Sequence, residues 1–489
     1  MLSPELEARL GELTDLGAAG ALLGWDQQTM MPPGGAEARG NVMATLTTIA
    51  HERQSAPELG ALLDAAQPDG DVEAAIVRVV RRDHDKARRV PAELAAEMEL
   101  ASSRAQEPWA HARATDDFAH FKPFLEQNLE LRRRYVDCFE GAEHPYDTLL
   151  DNFEPGLTTA RVREVFEQLR EGLVPLVAAI AAAKPAPVLR GPFPIAAQQE
   201  LALEMARAFG FGDGSWRMDL AVHPFAQSLS PQDIRVTARY KDEDLQGLFA
   251  VMHEVGHGLY EHQVDPALGR TTLGTGVSLG IHESQSRLWE NLVGRSEPFW
   301  RHWGPRLRAA FGEAVGDVTD RDLLRAINAV EPGLIRVDAD EVTYSLHVIL
   351  RFELEVSMIE GALAVDDLPA AWNAGMKELL GVDVPDDARG CLQDIHWAFG
   401  ELGYFPTYAI GNIAAAQMWT ALQRDVGTLD EQIAAGEYGA IRDWLREHVH
   451  RHGRTVEPVQ LLERATGGGL DPAPLLAQLN AKYRALYGI

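Results

Sequence analysis

The segment DEDLQGLFAVMHEVGHGLYEHQ, from Asp242 to Gln263, carries the strongest structural signal in this sequence. Its apolar residues recur at spacings of three and four, which is the periodicity of a helix with one buried face. They are Leu245, Leu248, Val251 and Met252. The segment therefore predicts an α-helix that packs against a core and carries the sequence HEVGH.

HEVGH places His253 and His257 four residues apart. On an α-helix they lie on the same face, about 6 Å apart along the axis, so both imidazoles can reach one metal ion. Glu254 lies about 100° around the axis, where it can act on a water molecule without binding the metal. Zinc suits two imidazoles and a carboxylate and leaves one position open for water. We therefore expect one zinc ion per chain and general-base catalysis by Glu254.

A catalytic zinc ion needs a third protein ligand. Residues Thr272 to Ile281 read TLGTGVSLGI, whose alternation predicts a β-strand, and IHESQSRLWEN follows as a new helix. Glu283, at the start of that helix, is the preferred ligand because it directly follows the strand. Glu290 is the alternative ligand. The structural alternative for Glu283 is a carboxylate that interacts favourably with the helix dipole.

Most of the remaining sequence has helical periodicity, so the expected fold class is mainly α. One apolar stripe consists of Phe118, Phe121, Leu125 and Leu129. The segment LVPLVAAIAAA, from Leu173 to Ala183, is too short to cross a bilayer and predicts a buried helix. DIRVTARY, from Asp233 to Tyr240, alternates apolar and polar residues and predicts a strand.

The segment KPAPVLRGPFP, from Lys184 to Pro194, is rich in proline and resembles a linker. It predicts a boundary between an N-terminal helical lobe, residues 1–190, and a catalytic zinc-binding half, residues 191–489. Both halves are expected to form one compact catalytic unit.

Charge and cysteine content limit the function classes. The 489 residues carry a formal net charge of −28, and so acidic a surface repels phosphate backbones and anionic lipids. Nucleic acid and membranes are therefore not expected as partners. The chain has only two cysteines, Cys138 and Cys391, and its N-terminus lacks a basic region followed by an apolar run. These features predict a cytoplasmic protein.

Four acidic residues are candidates for orienting the imidazoles by accepting their second N–H group. They are Asp338, Asp340 and Glu341 in IRVDADEVTY, and Asp394 in GCLQDIHW. For each of them, an ordinary role as an ion-pair partner or a helix cap is the favoured interpretation.

Nine sequence blocks, in order, resemble the carboxypeptidase Taq family of metallocarboxypeptidases, whose zinc site is of the gluzincin type. The blocks are WDQQTMMPPGG (25–35), YDTLLDNFEPG (146–156), HPF (223–225), DIRVTARY (233–240), HEVGHGLYEHQ (253–263), HESQS (282–286), IRVDADEVTY (335–344), GCLQDIHW (390–397) and GYFPTY (403–408). The resemblance runs nearly the whole chain. Its one noted departure is Ala238, where threonine is expected, and it affects no catalytic position.

The resemblance implies a fold of two helical lobes around a deep substrate groove, with a small β-sheet at the active site, similar to neurolysin and angiotensin-converting enzyme. It also implies a homodimer that releases single amino acids from peptide C-termini with broad specificity. The implied metal is zinc, and cobalt can also support activity.

The resemblance further implies a role for each site residue. The implied metal ligands are His253, His257 and Glu283, and the base is Glu254. Arg336 would bind the terminal carboxylate of the substrate, with an ion pair to Asp338, Asp340 or Glu341 as the alternative. Tyr408 and His396 would stabilise the reacting carbonyl, and His223 and Tyr404 would contact the substrate.

Three other functions fit parts of this pattern. An endo-oligopeptidase or a dipeptidyl carboxypeptidase could use the same zinc site without a cation at the end of the groove. An aminopeptidase is disfavoured because no GAMEN-like segment is present to bind a free amine. A scaffold protein with structural zinc is also disfavoured, because such sites usually have four protein ligands, mostly cysteine, and no cysteine lies near HEVGH.

Overall fold

Helices form nearly all of the regular structure in the computed structural model, which describes residues 2–212 and 214–489. Within these residues there are 21 α-helices: α1 (Pro4–Thr29), α2 (Ala36–Ser55), α3 (Pro57–Ala65), α4 (Asp71–Arg89), α5 (Ala92–Thr115), α6 (Phe118–Val136), α7 (Pro145–Leu150), α8 (Thr159–Ala181), α9 (Ile195–Phe209), α10 (Gln246–His262), α11 (Leu279–Arg287), α12 (Glu297–Ala310), α13 (Gly312–Val315), α14 (Asp320–Ile327), α15 (Tyr344–Glu360), α16 (Leu368–Leu380), α17 (Pro406–Val426), α18 (Leu429–Ala435), α19 (Gly439–His448), α20 (Pro458–Thr466) and α21 (Ala473–Tyr487). A π-helical segment, Leu288–Val293, directly continues α11. The prediction of a mainly α fold is confirmed.

The predicted helical segments have the expected burial. The stripe of Phe118, Phe121, Leu125 and Leu129 lies on α6 and is buried. The apolar segment that begins at Leu173 belongs to α8, which continues through Pro175 and ends at Ala181. Among the described residues, no helix combines the length and the apolarity needed to cross a bilayer.

A small three-stranded sheet lies next to the central helix α10. Its strands are β1 (Trp216–Leu220), β2 (Ala226–Ser230) and β3 (Asp233–Ala238), in the order β1-β3-β2. β1 pairs with β3 in parallel, and β2 pairs with β3 antiparallel, so β2 is an edge strand. The strand predicted in DIRVTARY is therefore confirmed, and its apolar side chains from Ile234 to Ala238 pack into the core.

The strand predicted at Thr272–Ile281 is wrong. This segment forms turns and then begins α11 at Leu279. Its amides are bonded by side chains and not by another strand, since the N–H of Gly276 donates to Glu261 and that of Val277 donates to the Tyr260 hydroxyl. The alternation of apolar residues misled because a loop can bury some apolar side chains without forming a strand: Leu273 and Val277 are buried here, whereas Leu279 is exposed.

The segment 182–194, between α8 and α9, has no regular secondary structure, as expected for a linker. The hydrophobic core nevertheless includes residues from both sides of it, from Ala105 to Tyr483. The division into residues 1–190 and 191–489 stays a prediction.

Candidate active site

Three donor atoms converge where α10 meets α11. The Nε2 atoms of His253 and His257 are 3.2 Å apart, and Oε2 of Glu283 lies 3.6 Å from the first and 3.4 Å from the second. Ligands of a tetrahedral zinc ion, bound at about 2.0–2.1 Å, are about 3.3–3.4 Å from one another. The three atoms therefore have the mutual spacing of three corners of a zinc coordination sphere.

The protonation of His257 and Glu283 also suits a metal ion, because ligand atoms must be free of protons. Burial would lower the pKa of His253, but the carboxylates of Glu283 and Glu290 outweigh this effect and raise it instead. Burial lowers the pKa of His257 to about 4, which keeps the ring neutral. Burial alone would raise the pKa of Glu283, but the charge of Arg287 is the largest of the contributions that hold it well below its usual range. The Nε atom of Arg287 donates to Oε1 of Glu283 at 2.7 Å, which leaves Oε2 to face the imidazoles.

Glu254 lies beside the two histidines on α10 and is only 7% exposed. Burial raises its pKa to about 7. A carboxylate whose pKa lies near neutrality can accept a proton from water and release it again within one reaction. The geometry therefore permits the predicted general base.

Two glycines explain how α11 comes close enough for Glu283 to reach the histidines. Gly256, inside HEVGH, lies against the backbone of α11, and a Cβ atom there would be 2.7 Å from the Cα of Ser286. On the other side, Gly411 of α17 lies against Glu283, whose Cγ would be 2.6 Å from an added Cβ. Any side chain at either position would move Glu283, which is why the local sequence requires glycine.

The start of α11 is held by the block that contains Phe153 and Glu154. The carbonyl of Phe153 accepts the N–H of Leu279 at 3.2 Å, and the buried carboxylate of Glu154 accepts the N–H of Gly280. The first amides of a helix have no partner within the helix, so these contacts satisfy them and fix the position of the helix. The resemblance did not indicate this role for YDTLLDNFEPG.

The outer nitrogen of His253 is oriented by Glu290, the residue that was the alternative ligand. Oε2 of Glu290 lies 2.9 Å from Nδ1 of His253. Burial alone would raise the pKa of Glu290, but Arg287 and the hydrogen bond to His253 lower it to about 2. Glu290 is therefore a charged acceptor that contacts His253 on the side away from Glu283, where it can orient the ring without binding the metal.

Three of the four other acidic candidates have the ordinary capping or ion-pair roles that the sequence favoured, and none contacts His253 or His257 in the described part of the chain. Asp340 caps the segment that leads into α15 by accepting the N–H groups of Val342 and Thr343, and Glu341 pairs with Lys482 at 2.6 Å. Asp338 is exposed, and Asp394 pairs with two arginines. Sequence alone could not exclude these residues, because their distance from the histidines depends on how the segments before α15 and after α16 pack.

Arg336 is 4% exposed and lies in a buried ionic cluster. Its Nε and Nη2 atoms donate to Oδ1 of Asp394 at 3.1 and 2.7 Å, and Arg351 donates to Oδ2 at 2.7 Å. The alternative that Arg336 pairs with Asp338, Asp340 or Glu341 is therefore wrong. Among the described residues, Asp394 is the one carboxylate within 4.0 Å of either arginine, so one negative charge faces two positive charges.

The aromatic residues predicted around the reacting carbonyl lie together. The Tyr408 hydroxyl is 3.3 Å from Nε2 of His396, and its ring is 5.3 Å from that of Tyr404, centroid to centroid. The guanidinium carbon of Arg336 lies 4.8 Å from the Tyr408 ring. Burial raises the pKa of Tyr408 well above its usual value, so its hydroxyl keeps its proton and can donate.

Tyr344, which the sequence did not single out, joins this aromatic group to the three donor atoms. Its ring is 6.2 Å from that of Tyr408, and its hydroxyl accepts a hydrogen bond from Nη1 of Arg336 at 3.1 Å. The guanidinium of Arg287, which holds Glu283, lies 4.2 Å from the same ring. The only sequence signal for this link was its place at the end of IRVDADEVTY.

His223 is exposed in the loop between β1 and β2. In the part of the chain that the structure describes, no hydrogen bond or ion pair joins its ring to the other site residues. Its predicted role in substrate binding therefore stays a prediction.

A cavity of about 470 Å³ opens beside His257 and is bordered by the edge strand β2 and by α4. A second cavity, of about 710 Å³, shares Gln227 and Ser228 of β2 with it and extends to α1 and α2. The two cavities are therefore neighbours along the sheet edge. An exposed strand edge can pair with an extended peptide through its backbone.

Comparisons with known proteins identify the family of this chain. The family model described as carboxypeptidase Taq (M32) metallopeptidase matches residues 5–483. The chain is 40% identical to thermostable carboxypeptidase 1 of Thermus thermophilus, over 98% of this chain and 97% of that protein. It is 36% identical to carboxypeptidase 1 of Bacillus subtilis, over 98% of this chain and 97% of that protein. The crystal structure of the M32 carboxypeptidase from Deinococcus radiodurans R1 superposes with a TM-score of 0.97 at 41% identity, covering 99% of both chains.

These matches confirm the resemblance seen in the sequence blocks and support a carboxypeptidase over an endo-oligopeptidase. A metal cofactor is implied by the metallopeptidase family, and the described residues contain a fitting cluster of His253, His257 and Glu283. The chain therefore belongs to the carboxypeptidase Taq (M32) family of metallopeptidases and is a metallocarboxypeptidase.

Proposed function

We propose that this enzyme uses one zinc ion per chain, held by His253, His257 and Glu283, to release single residues from peptide C-termini. The observation that supports the metal site most directly is the spacing of 3.2–3.6 Å among the three donor atoms. A bound zinc ion would lower the pKa of a water molecule and polarise the scissile carbonyl. Cobalt, which tolerates similar ligands, is the second candidate metal.

In this proposal Glu254 accepts a proton from the attacking water and passes it to the leaving amine. Its raised pKa, about 7, supports both steps, because the same group must take and give a proton. The Tyr408 hydroxyl donates to the carbonyl oxygen as negative charge develops on it, with His396 as a second donor. Preorganised donors of this kind act mainly in the transition state.

Arg336 would recognise the terminal carboxylate, with His223 and Tyr404 contacting the rest of the substrate. The support is electrostatic: Arg336 and Arg351 share the single carboxylate of Asp394, so the cluster carries an excess positive charge. An internal peptide bond offers no charge to neutralise this excess. A substrate with a free C-terminus would therefore bind better than one without.

The deciding experiment uses paired peptides that differ only in a free or an amidated C-terminus, with products identified by mass spectrometry. We expect sequential loss of single residues from the free acid and little cleavage of the amide. Metal analysis should find about one zinc per chain, and chelation followed by zinc or cobalt addition should remove and restore activity. Equal cleavage of both peptides, or activity in metal-free enzyme, would refute the proposal.

A homodimer and a cytoplasmic location are also proposed. The dimer rests on the family resemblance alone. The location is supported by the absence of disulfides among the described residues, since Cys138 and Cys391 are both free. Sedimentation of the purified protein tests the first proposal, and fractionation of the source cells tests the second.

A further inference from the structure

The outer nitrogen of His257 does not contact a carboxylate, unlike that of His253. Nδ1 of His257 lies 2.6 Å from Nδ1 of His282, and Nε2 of His282 lies 2.9 Å from Oε1 of Glu261. The three side chains therefore form a chain of two hydrogen bonds that leads away from the proposed metal position. His282 directly precedes Glu283 on α11, and Glu261 follows His257 by one turn on α10.

Only one arrangement of protons satisfies this chain when a metal is bound. An imidazole that binds a metal through Nε2 carries its proton on Nδ1, so His257 must donate. His282 must then accept at Nδ1 and carry its own proton on Nε2. That proton can be donated to Glu261, which as a carboxylate has only acceptor atoms.

The acceptor at the end of the chain is firmly held. Oε1 of Glu261 also accepts the N–H of Gly276 and the hydroxyl of Thr275, each at 2.9 Å. The His282 ring is confined by the same loop, because a Cβ atom at Gly276 would lie 2.7 Å from Cδ2 of His282. Rotation of the Glu261 carboxylate and of the His282 ring is therefore restricted, which keeps His282 against His257.

We propose that His282 and Glu261 are positioning residues that fix the proton of His257 on Nδ1 and thereby present Nε2 to the metal. The proposal rests on the proposed metal site. Two consecutive residues of α11 then act on the metal site in different ways: Glu283 binds the metal, and His282 orients His257. Side chains of adjacent residues on a helix point about 100° apart, so the two contacts together restrict rotation of α11 against α10.

The first test measures zinc affinity of the full-length protein by competition with a chromogenic chelator. His282→Phe keeps a planar ring but cannot accept the hydrogen bond from Nδ1–H of His257. We expect this variant to bind zinc about 10–100-fold more weakly. His282→Asn places a carbonyl oxygen, on a shorter side chain, where it can accept this hydrogen bond. Its zinc affinity should be close to that of the wild type. The stability of each metal-free variant, from denaturant unfolding, is measured alongside.

His262→Phe is the matched control. His262 also lies on α10, donates from Nδ1 to the carbonyl oxygen of Pro231 at 2.7 Å, and packs edge-on against the ring of Trp216. Its loss should lower stability without changing zinc affinity. If His262→Phe and His282→Phe weaken zinc binding equally, or if neither does, the positioning role is wrong.

The second test reads the protons directly in the zinc-loaded wild type, by NMR of protein labelled with ¹⁵N-histidine. We expect His257 to be protonated on Nδ1 and His282 on Nε2. A His282 protonated on Nδ1 would overturn the proposal, whether or not the variants fold. Loss of the proposed function would look different: wild-type protein that binds zinc with these protons in place but spares free C-termini would count against the carboxypeptidase mechanism alone.

Discussion

The metal-binding side and the carboxylate-binding side of this site are built in different ways. On the first side, His253, His257 and Glu283 come from two adjacent helices within one short stretch of chain. On the second side, Arg336 lies in a single 3₁₀ turn, and its partner Asp394 is 58 residues away in a segment without a helix. Both sides contain buried ion pairs, since Arg287 pairs with Glu283 and Glu290, but the first side also depends on the spacing of residues along two helices. The second side depends chiefly on its ionic cluster.

This difference between the two sides predicts which substitutions lower activity alone and which also lower the stability of the fold. Removing Glu254 removes a defined chemical role and should leave the fold intact, because no ion pair depends on it among the described residues. Removing Glu283 also takes one partner from Arg287, which keeps Glu290 as its second partner. Removing Arg336 or Asp394 also leaves a buried charge without its partner, which is costly in itself. Variants on the two sides should therefore separate into those that lose only chemistry and those that also lose stability.

The largest effect is expected for Glu254→Gln. The amide cannot accept a proton, so kcat should fall by about 10²–10⁴-fold or more while zinc remains bound. Glu283→Gln is the matched variant, and it should weaken zinc binding because it replaces a charged ligand. Turnover and metal content are measured on the same samples. Zinc lost from Glu254→Gln but kept by Glu283→Gln would mean that the two roles are reversed.

Tyr408→Phe tests whether the aromatic group takes part in chemistry. Loss of one oxyanion donor typically lowers kcat by about 10²–10³-fold, and KM should change less because the interaction forms mainly in the transition state. Tyr404→Phe removes a neighbouring hydroxyl and should affect kcat less. If kcat falls more in the Tyr404 variant, the donor is Tyr404 and not Tyr408. If kcat is unchanged in both variants, neither hydroxyl takes part in catalysis and the two tyrosines only contribute to packing.

Arg336→Lys and Arg336→Ala test the carboxylate-binding side. We expect the wild type to prefer a free C-terminus to an amidated one by at least ~100-fold in kcat/KM, or about 2.7 kcal/mol. Arg336→Lys keeps the charge but loses the planar fork, so the preference should shrink without a large loss of stability. Arg336→Ala should abolish the preference, with zinc retained. A preference that persists in both variants would show that another group reads the terminus.

The smallest effect is expected for Gly411→Ala, which sharpens the comparison by disturbing the metal side through packing alone. The new methyl group would overlap Glu283, at a cost of about 1–3 kcal/mol of stability, and zinc affinity should fall with it. The control is Gly17→Ala on α1, where nothing lies within 4 Å and alanine should stabilise by up to about 1 kcal/mol. Denaturant unfolding measures the stability of both variants, and chelator competition measures their zinc affinity. A Gly411→Ala variant that behaves like the control would mean that α17 moves away from Glu283 at little cost.

The sequence was informative where function depends on local spacing, and it misled where only packing decides. Glu283 was chosen because a strand was expected before it. The strand is absent, yet the choice agrees with the geometry, because the start of α11 is brought to HEVGH by Gly256 and by the Glu154 contact. The sequence could not decide between an orienting role and an ordinary ion pair for Asp394, because its distance from the histidines depends on packing between distant segments; the structure pairs it with Arg336 and Arg351.

The sequence by itself determined helix α10, the four-residue spacing of its histidines and the mainly α class, because all of these follow from periodicity within one segment. Tertiary structure alone decided the partners of the reactive groups. Glu290 reaches His253 from 37 residues away, His282 reaches His257 from 25, and Asp394 divides its charge between Arg336 and Arg351. Contacts of this kind depend on how whole helices pack, and a hydrogen bond of 3 Å is formed or lost by shifts that no local pattern encodes.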